Sequence, residues 1–125
     1  MDRPELVAAL ESINKQTYSN IEIVLVDASG KGLTRHQGVT LHFPLNEVSV
    51  GKQLNRSAAA NLALKSASGD LLFFLDEDDW IAEDHVEQLA SALEQNSSVG
   101  VAYSSTQITT ASGELTEDIF DIDYD

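Results

Sequence analysis

Apolar and polar positions change period several times along this chain, and each change predicts an element. Leu6, Val7, Leu10 and Ile13 fall at i, i+1, i+4 and i+7, one stripe of a helix that Asp2 can cap, with Pro4 near its first turn, and that ends before Thr17. Ile21-Glu22-Ile23-Val24-Leu25-Val26 is a β-branched strand, followed by the polar, glycine-bearing loop Asp27-Ala28-Ser29-Gly30-Lys31-Gly32. A weaker strand runs from about Val39 to Phe43 and stops at Pro44. A helix over about Asn55 to Ala67 presents Leu54, Ala58, Asn61, Leu62 and Lys65 on one side, with Gly69 as the residue that ends it. Val86, Leu89, Ala90 and Leu93 mark a helix over about Ala82 to Gln95. Val99 to Thr106 reads as a strand, with Gln107 to Leu115 pairing back through Ser112-Gly113. No internal repeat is visible.

The pattern is most distinctive at Leu71-Leu72-Phe73-Phe74-Leu75, an unbroken apolar run followed by Asp76-Glu77-Asp78-Asp79 and Trp80. Such a run predicts a parallel strand buried on both faces. Ligands in parallel sheets sit at the C-terminal ends of strands. Asp27 ends one strand in this reading, and Asp76 and Asp78 end another. Oxygen ligands of this kind suit magnesium, manganese or calcium better than zinc. The bland alternative is that Asp78 or Asp79 caps the following helix, with Glu83 and Asp84 favourably placed in its first turn. Four consecutive acids at a buried strand end repel one another more than capping requires, and a bound cation offsets that repulsion.

The order helix, strand, strand, helix, strand, helix, strand predicts an α/β fold with a mostly parallel sheet and helices on both faces. A doubly wound domain ordinarily opens on a central strand, whereas here a helix comes first. The predicted sheet is therefore incomplete, and a partner chain or swapped segment is expected to cover it, a homodimer being one such arrangement.

Composition narrows the partners. At 125 residues with 42% hydrophobic content, the chain suits one domain with a core. Twenty-one acids against seven Lys and Arg give a net charge of −14, which opposes nucleic acid and anionic membranes and implies that an anionic ligand arrives with a bridging cation. No apolar run approaches the roughly 18 residues of a membrane span. Cysteine is absent, so thiolate and disulfide chemistry are excluded.

Read together, Arg3-Pro4-Glu5-Leu6, Ala9-Leu10-Glu11-Ser12-Ile13, Gln16-Thr17-Tyr18, Asn20-Ile21-Glu22-Ile23-Val24-Leu25-Val26-Asp27, Ala60-Asn61 and Gly69-Asp70 before Leu75-Asp76-Glu77-Asp78-Asp79 resemble the family-2 glycosyltransferases of the GT-A fold, over about residues 3 to 104. The resemblance implies a Rossmann-like GT-A domain that binds a nucleoside-diphosphate sugar, UDP-linked first among the candidates, and transfers the sugar to an acceptor hydroxyl that the sequence does not identify, usually with inversion. It also implies roles. Asp27 contacts the base with Ser29 and Asn61 nearby, Asp76 reaches the ribose and shares a manganese or magnesium ion with Asp78, and that ion stabilises charge on the departing diphosphate. The expected organisation is a nucleotide-sugar-binding domain over residues 1–113 and an acidic tail over 114–125. A cytoplasmic location follows from bacterial-type members, membrane-peripheral in a longer protein.

The chain also departs from the family pattern. Asp27-Ala28-Ser29-Gly30 stands where Asp-Asp-Gly-Ser is usual, and Ala59-Ala60-Asn61 where Ala-Arg-Asn is common. Arg56, one helical turn earlier, is the candidate replacement for that arginine. The family's first strand would lie upstream of Met1 and its acceptor half, with the catalytic base, downstream of Asp125. No catalytic base is assigned. Asp118, Asp121 and Asp123 are available, but a disordered acidic tail is favoured over a base there; the tail is a solvated end or a segment cut from its packing partner, and Ile119, Phe120, Ile122 and Tyr124 between its acids favour the second.

The remaining residues have plainer readings. Trp80 is expected to pack on the core in preference to stacking on a donor. His36, His42 and His85 lack metal-ligand spacing and are read as surface residues, and Lys52 as solvated in preference to phosphate-binding. Two alternatives to a glycosyltransferase stand: a haloacid-dehalogenase-type phosphatase with Asp76 as nucleophile, and a non-catalytic binding or assembly module. The first is weakened because its motif usually ends in Thr or Val, where this chain has Trp80.

Overall fold

The computed structural model describes residues 4–32 and 38–121. Helix α1 spans Pro4–Asn14, strand β1 Ile23–Val26, strand β2 Leu45–Val48, helix α2 Arg56–Ser66, helix α3 His85–Gln95, strand β3 Thr106–Thr109 and strand β4 Leu115–Phe120. The chain divides into two compact units at Glu87/Gln88, within α3. Asp2, Arg3, Leu33 to Gln37 with His36, and Ile122 to Asp125 with Asp123 lie outside the described residues. Among the described residues the architecture is mixed α/β, with one parallel and one antiparallel pair of strands.

In the first unit, the predicted α1 stripe becomes the core. Leu6, Leu10 and Ile23 are buried together, and Ile13, Ile21, Leu25, Val39, Leu41, Phe43 and Leu45 pack around them. Gln16 satisfies two carbonyls of the last turn: its N–H donates to Ile13 O at 3.0 Å and its Nε2 to Ser12 O at 3.1 Å. Strand β1 pairs in parallel with β2, Ile23 opposite Leu45 and Val26 opposite Val48.

The strand expected over Val39–Phe43 is not formed, and the strand lies just past Pro44 instead. Asn14 is the reason. Its Nδ2 donates to Thr40 O at 2.8 Å and its Oδ1 accepts from His42 N–H at 2.9 Å, so a side chain occupies backbone groups that a ladder would use. Val39, Leu41 and Phe43 still reach the core by alternation.

Helix α2 begins as expected. Asn55 has extended backbone (φ −78°, ψ 168°), and its side chain accepts from Ala58 N–H at 2.8 Å. It ends on Ala67, not through Gly69: Ala67 is extended and its N–H closes onto Ala63 O at 3.0 Å. Glu22 then holds the chain as it leaves α2. Its Oε1 accepts from Ser68 N–H at 2.5 Å, Ser68 Oγ at 2.9 Å and Gly69 N–H at 2.9 Å.

The apolar run 71–75 is the main correction. It belongs to no strand, and Leu71, Leu72, Phe73 and Phe74 are all exposed. Among the described residues no ladder receives it. His85, expected at the surface, is half-buried with its ring edge-on to Phe73 at 5.3 Å. Trp80, expected to pack, is 50% exposed.

In the second unit, residues 99–105 form no strand, and β3 pairs antiparallel with β4 with an irregularity between Gln107 and Thr109. The turn falls at the expected Ser112-Gly113, where Gly113 has φ +83° and donates to Thr110 O at 2.9 Å. The segment read as a disordered tail is thus a strand over Leu115–Phe120, and Asp121 accepts from Ser105 Oγ at 2.9 Å.

Candidate functional site

Asp27 follows β1 directly and is only 3% exposed. Its N–H donates to Val48 O at 2.8 Å, extending the β1–β2 register by one residue. The carboxylate is engaged on both oxygens. Oδ1 accepts from Ser29 Oγ at 2.6 Å, Ser29 N–H at 2.9 Å and Gly30 N–H at 3.1 Å; Oδ2 accepts from Gly32 N–H at 2.8 Å and Ser49 Oγ at 3.0 Å. Five donors fill the capacity of an ionised carboxylate. The Ser29 hydroxyl first, then the Gly32 amide, with Ser49 and the Ser29 amide adding to them against the effect of burial, pull its pKa down from 3.8 to about 2. Asp27 and Ser29 are therefore brought together, with the aspartate shaping the loop in which both lie.

Two contacts link this loop to the start of α2. Gly30 has φ +69°, and a Cβ there would lie 2.3–2.6 Å from the backbone of Lys52, so only glycine allows the two segments to approach. Leu54 N–H donates to Ala28 O at 2.8 Å. Asn61 is exposed on α2 and lines a groove of about 310 Å³ with Lys52, Leu54, Ala58, Leu62 and Lys65, the side predicted from the sequence.

Two residues past Leu54, Arg56 turns to the acidic cluster and its Nη2 pairs with Asp76 Oδ2. Asp76, Asp78 and Asp79 are exposed, and one carboxylate oxygen from each can be chosen so that all three lie within 4.8 Å of one another. The backbone brings them together by a turn in which Asp79 N–H donates to Asp76 O at 3.1 Å. Neither Asp78 nor Asp79 caps a helix, because α3 starts only at His85. The set consists of hard oxygen donors open to solvent, and its mutual repulsion is relieved by positive charge. It fits a magnesium or manganese ion.

Residues 81–87, just past the cluster, are fastened to the end of α1. Gln16 Nε2 donates to Ala82 O at 2.6 Å while its Oε1 accepts from Val86 N–H at 3.0 Å. Thr17 N–H donates to Glu83 O at 2.8 Å, Thr17 Oγ1 to Glu87 Oε2 at 2.5 Å, and Ile81 N–H to Ser12 Oγ at 3.3 Å. Sequence reasoning missed the roles of Gln16 and Ser49. Ser49 carried no signal, since β2 was expected elsewhere. Gln16 stands in the sequence only within the Gln16-Thr17-Tyr18 string of the family resemblance.

Comparison with known proteins identifies the family. The glycosyl transferase family 2 profile matches residues 2–121. The chain is 32% identical over 91 residues to the uncharacterized glycosyltransferase YwdF of Bacillus subtilis, covering 73% of this chain and 34% of YwdF. It is 40% identical over 88 residues to glycosyltransferase GlyA of Streptococcus pneumoniae, covering 64% and 12% respectively. It is 34% identical over 91 residues to WfgD of Escherichia coli, named as a UDP-Glc:alpha-D-GlcNAc-diphosphoundecaprenol beta-1,3-glucosyltransferase, covering 71% and 36%. No solved structure matches significantly. The chain spans about a third of the length of these relatives, or less. No helix among the described residues is long and apolar enough to cross a membrane. The phosphatase alternative falls away with the family match, and the chain belongs to glycosyl transferase family 2.

Proposed function

We propose that this chain supplies the donor site of a glycosyltransferase of GT-A architecture, binding a nucleoside-diphosphate sugar for inverting transfer to an acceptor hydroxyl. The observation that carries the reading is the convergence of Asp76, Asp78 and Asp79 beyond the apolar run, in a chain of this family. UDP is the favoured nucleotide because the relative WfgD is named for a UDP-Glc donor.

The residues divide the work. Asp27 keeps loop 27–32 in shape, and Ser29 presents a hydroxyl beside it; a direct contact from Asp27 to the base would replace one of its rotatable hydroxyl donors, Ser29 or Ser49. Asn61 and Lys52 line the neighbouring groove. Asp76 and Asp78, with Asp79, would hold the manganese or magnesium ion. When bound, that ion supplies Lewis-acid stabilisation of the charge that develops on the leaving diphosphate.

Calorimetric titration of UDP into the full chain with manganese, with the metal chelated, and with Asp78→Ala tests the reading. Binding that needs the metal and is lost in the variant is the expected result. Equal binding in all three conditions removes the metal from the site. No binding in any of them favours a non-catalytic module.

A further inference from the structure

Arg56 and Asp76 form an ion pair between side chains that are 84% and 53% exposed. Pairs this open to solvent are weak and exchange readily. Asp76 is at the same time one of three carboxylates whose oxygens converge closely enough to share a cation. A guanidinium carrying one delocalised charge thus stands on a carboxylate that a divalent ion would claim. Both cannot hold that carboxylate with full strength, since the two positive charges repel at close range.

We propose that Arg56 is a displaceable counter-ion of Asp76, holding this carboxylate until a divalent cation takes it, whereupon the released guanidinium binds the diphosphate that accompanies the cation. The proposal rests on the donor-site reading above. Placement supports the second role. Arg56 is the first residue of the eleven-residue helix α2, directly after the Asn55 cap, where the helix field favours an anion. Its planar fork matches phosphate oxygens. One side chain therefore neutralises the cluster before the ligand arrives and follows the charge once it has come.

The test measures manganese alone by calorimetry on the full chain and on Arg56→Ala, Arg56→Lys and Asp78→Ala, then UDP at saturating manganese. Circular dichroism and thermal midpoints check that each variant is folded. Arg56→Ala is expected to bind manganese roughly two- to fivefold more tightly, because a weak competitor is gone. It should bind UDP roughly tenfold more weakly, because a charged donor is gone. Arg56→Lys should fall between it and the parent in both. Unchanged or weaker manganese binding in Arg56→Ala, with Asp78-dependent binding intact in the parent, overturns the counter-ion role and leaves the donor site standing. Unchanged UDP binding in that variant also overturns the proposal. Absence of any Asp78-dependent manganese binding overturns the donor site and the proposal with it.

Discussion

The side-chain amide of Gln16 accepts from Val86 N–H at 3.0 Å and donates to Ala82 O at 2.6 Å, joining the end of α1 to backbone some seventy residues later in the sequence. Both ends of a buried amide are thereby satisfied, and the chain leaving the acidic cluster is held against a helix that the core already fixes. Gln16→Ala takes the Gln16 partner from Val86 N–H and Ser12 O, while Ala82 O keeps its bond from His85 N–H. Loss of about 1 to 3 kcal/mol in urea unfolding is expected. Gln16→Glu keeps the acceptor for Val86 but sets a carboxylate against the carbonyls of Ser12 and Ala82, and should be destabilising as well. A variant unchanged in midpoint would show that Ser12 and Thr17 suffice.

Gly30 bears a conformational and a steric demand together. Alanine there would occupy positive φ and press its Cβ into the backbone of Lys52, which cannot rotate away as a side chain could. Gly30→Ala should lower stability by about 2 kcal/mol or more. Gly32→Ala also meets positive φ, at +93°, but has open space around it, and should be milder. Equal effects in thermal unfolding would mean that the approach of Lys52 is not what holds this loop.

Much of this arrangement could be read from residue order, and the rest could not for identifiable reasons. The α1 stripe, the start of α2 near Asn55, the Asp27 position and the acidic cluster follow from local periodicity and local chemistry. The position of β2 did not, because Val39, Leu41 and Phe43 alternate like a strand while Asn14, from α1, takes the hydrogen bonds around them. Burial of Leu71–Phe74 was inferred from hydrophobicity, yet burial needs a covering partner, and composition does not supply one. Saturation of Asp27 was invisible because one donor, Ser49, is twenty-two residues distant.

Leu71, Leu72, Phe73 and Phe74 are each between 47% and 61% exposed, a contiguous apolar stretch of the kind that drives association in water. Light scattering after size exclusion at micromolar concentration should therefore show self-association of the chain. Leu72→Glu with Phe74→Glu should reduce it. A parent chain that stays monomeric would mean that these side chains are covered from within.

Acid sensitivity should trace to Asp27. Its folded pKa is depressed to about 2 from 3.8, so ionisation is easier in the fold than in the unfolded chain. The unfolded state then binds more protons across this interval, and stability falls as pH drops. The stabilisation is complete above about pH 5 and disappears as pH passes from 3.8 towards 2. Glu22, lowered chiefly by the Ser68 amide and then the Ser68 hydroxyl, changes stability in the same direction. Asp27→Asn should lower stability at neutral pH, because an amide cannot accept five donors, and should flatten the decline between pH 4 and 2 without removing the share due to Glu22. Urea midpoints at half-unit pH intervals would measure this. Parallel curves for parent and variant would mean that the loop does not depend on the Asp27 charge, and the five hydrogen bonds would then hold its shape by geometry alone.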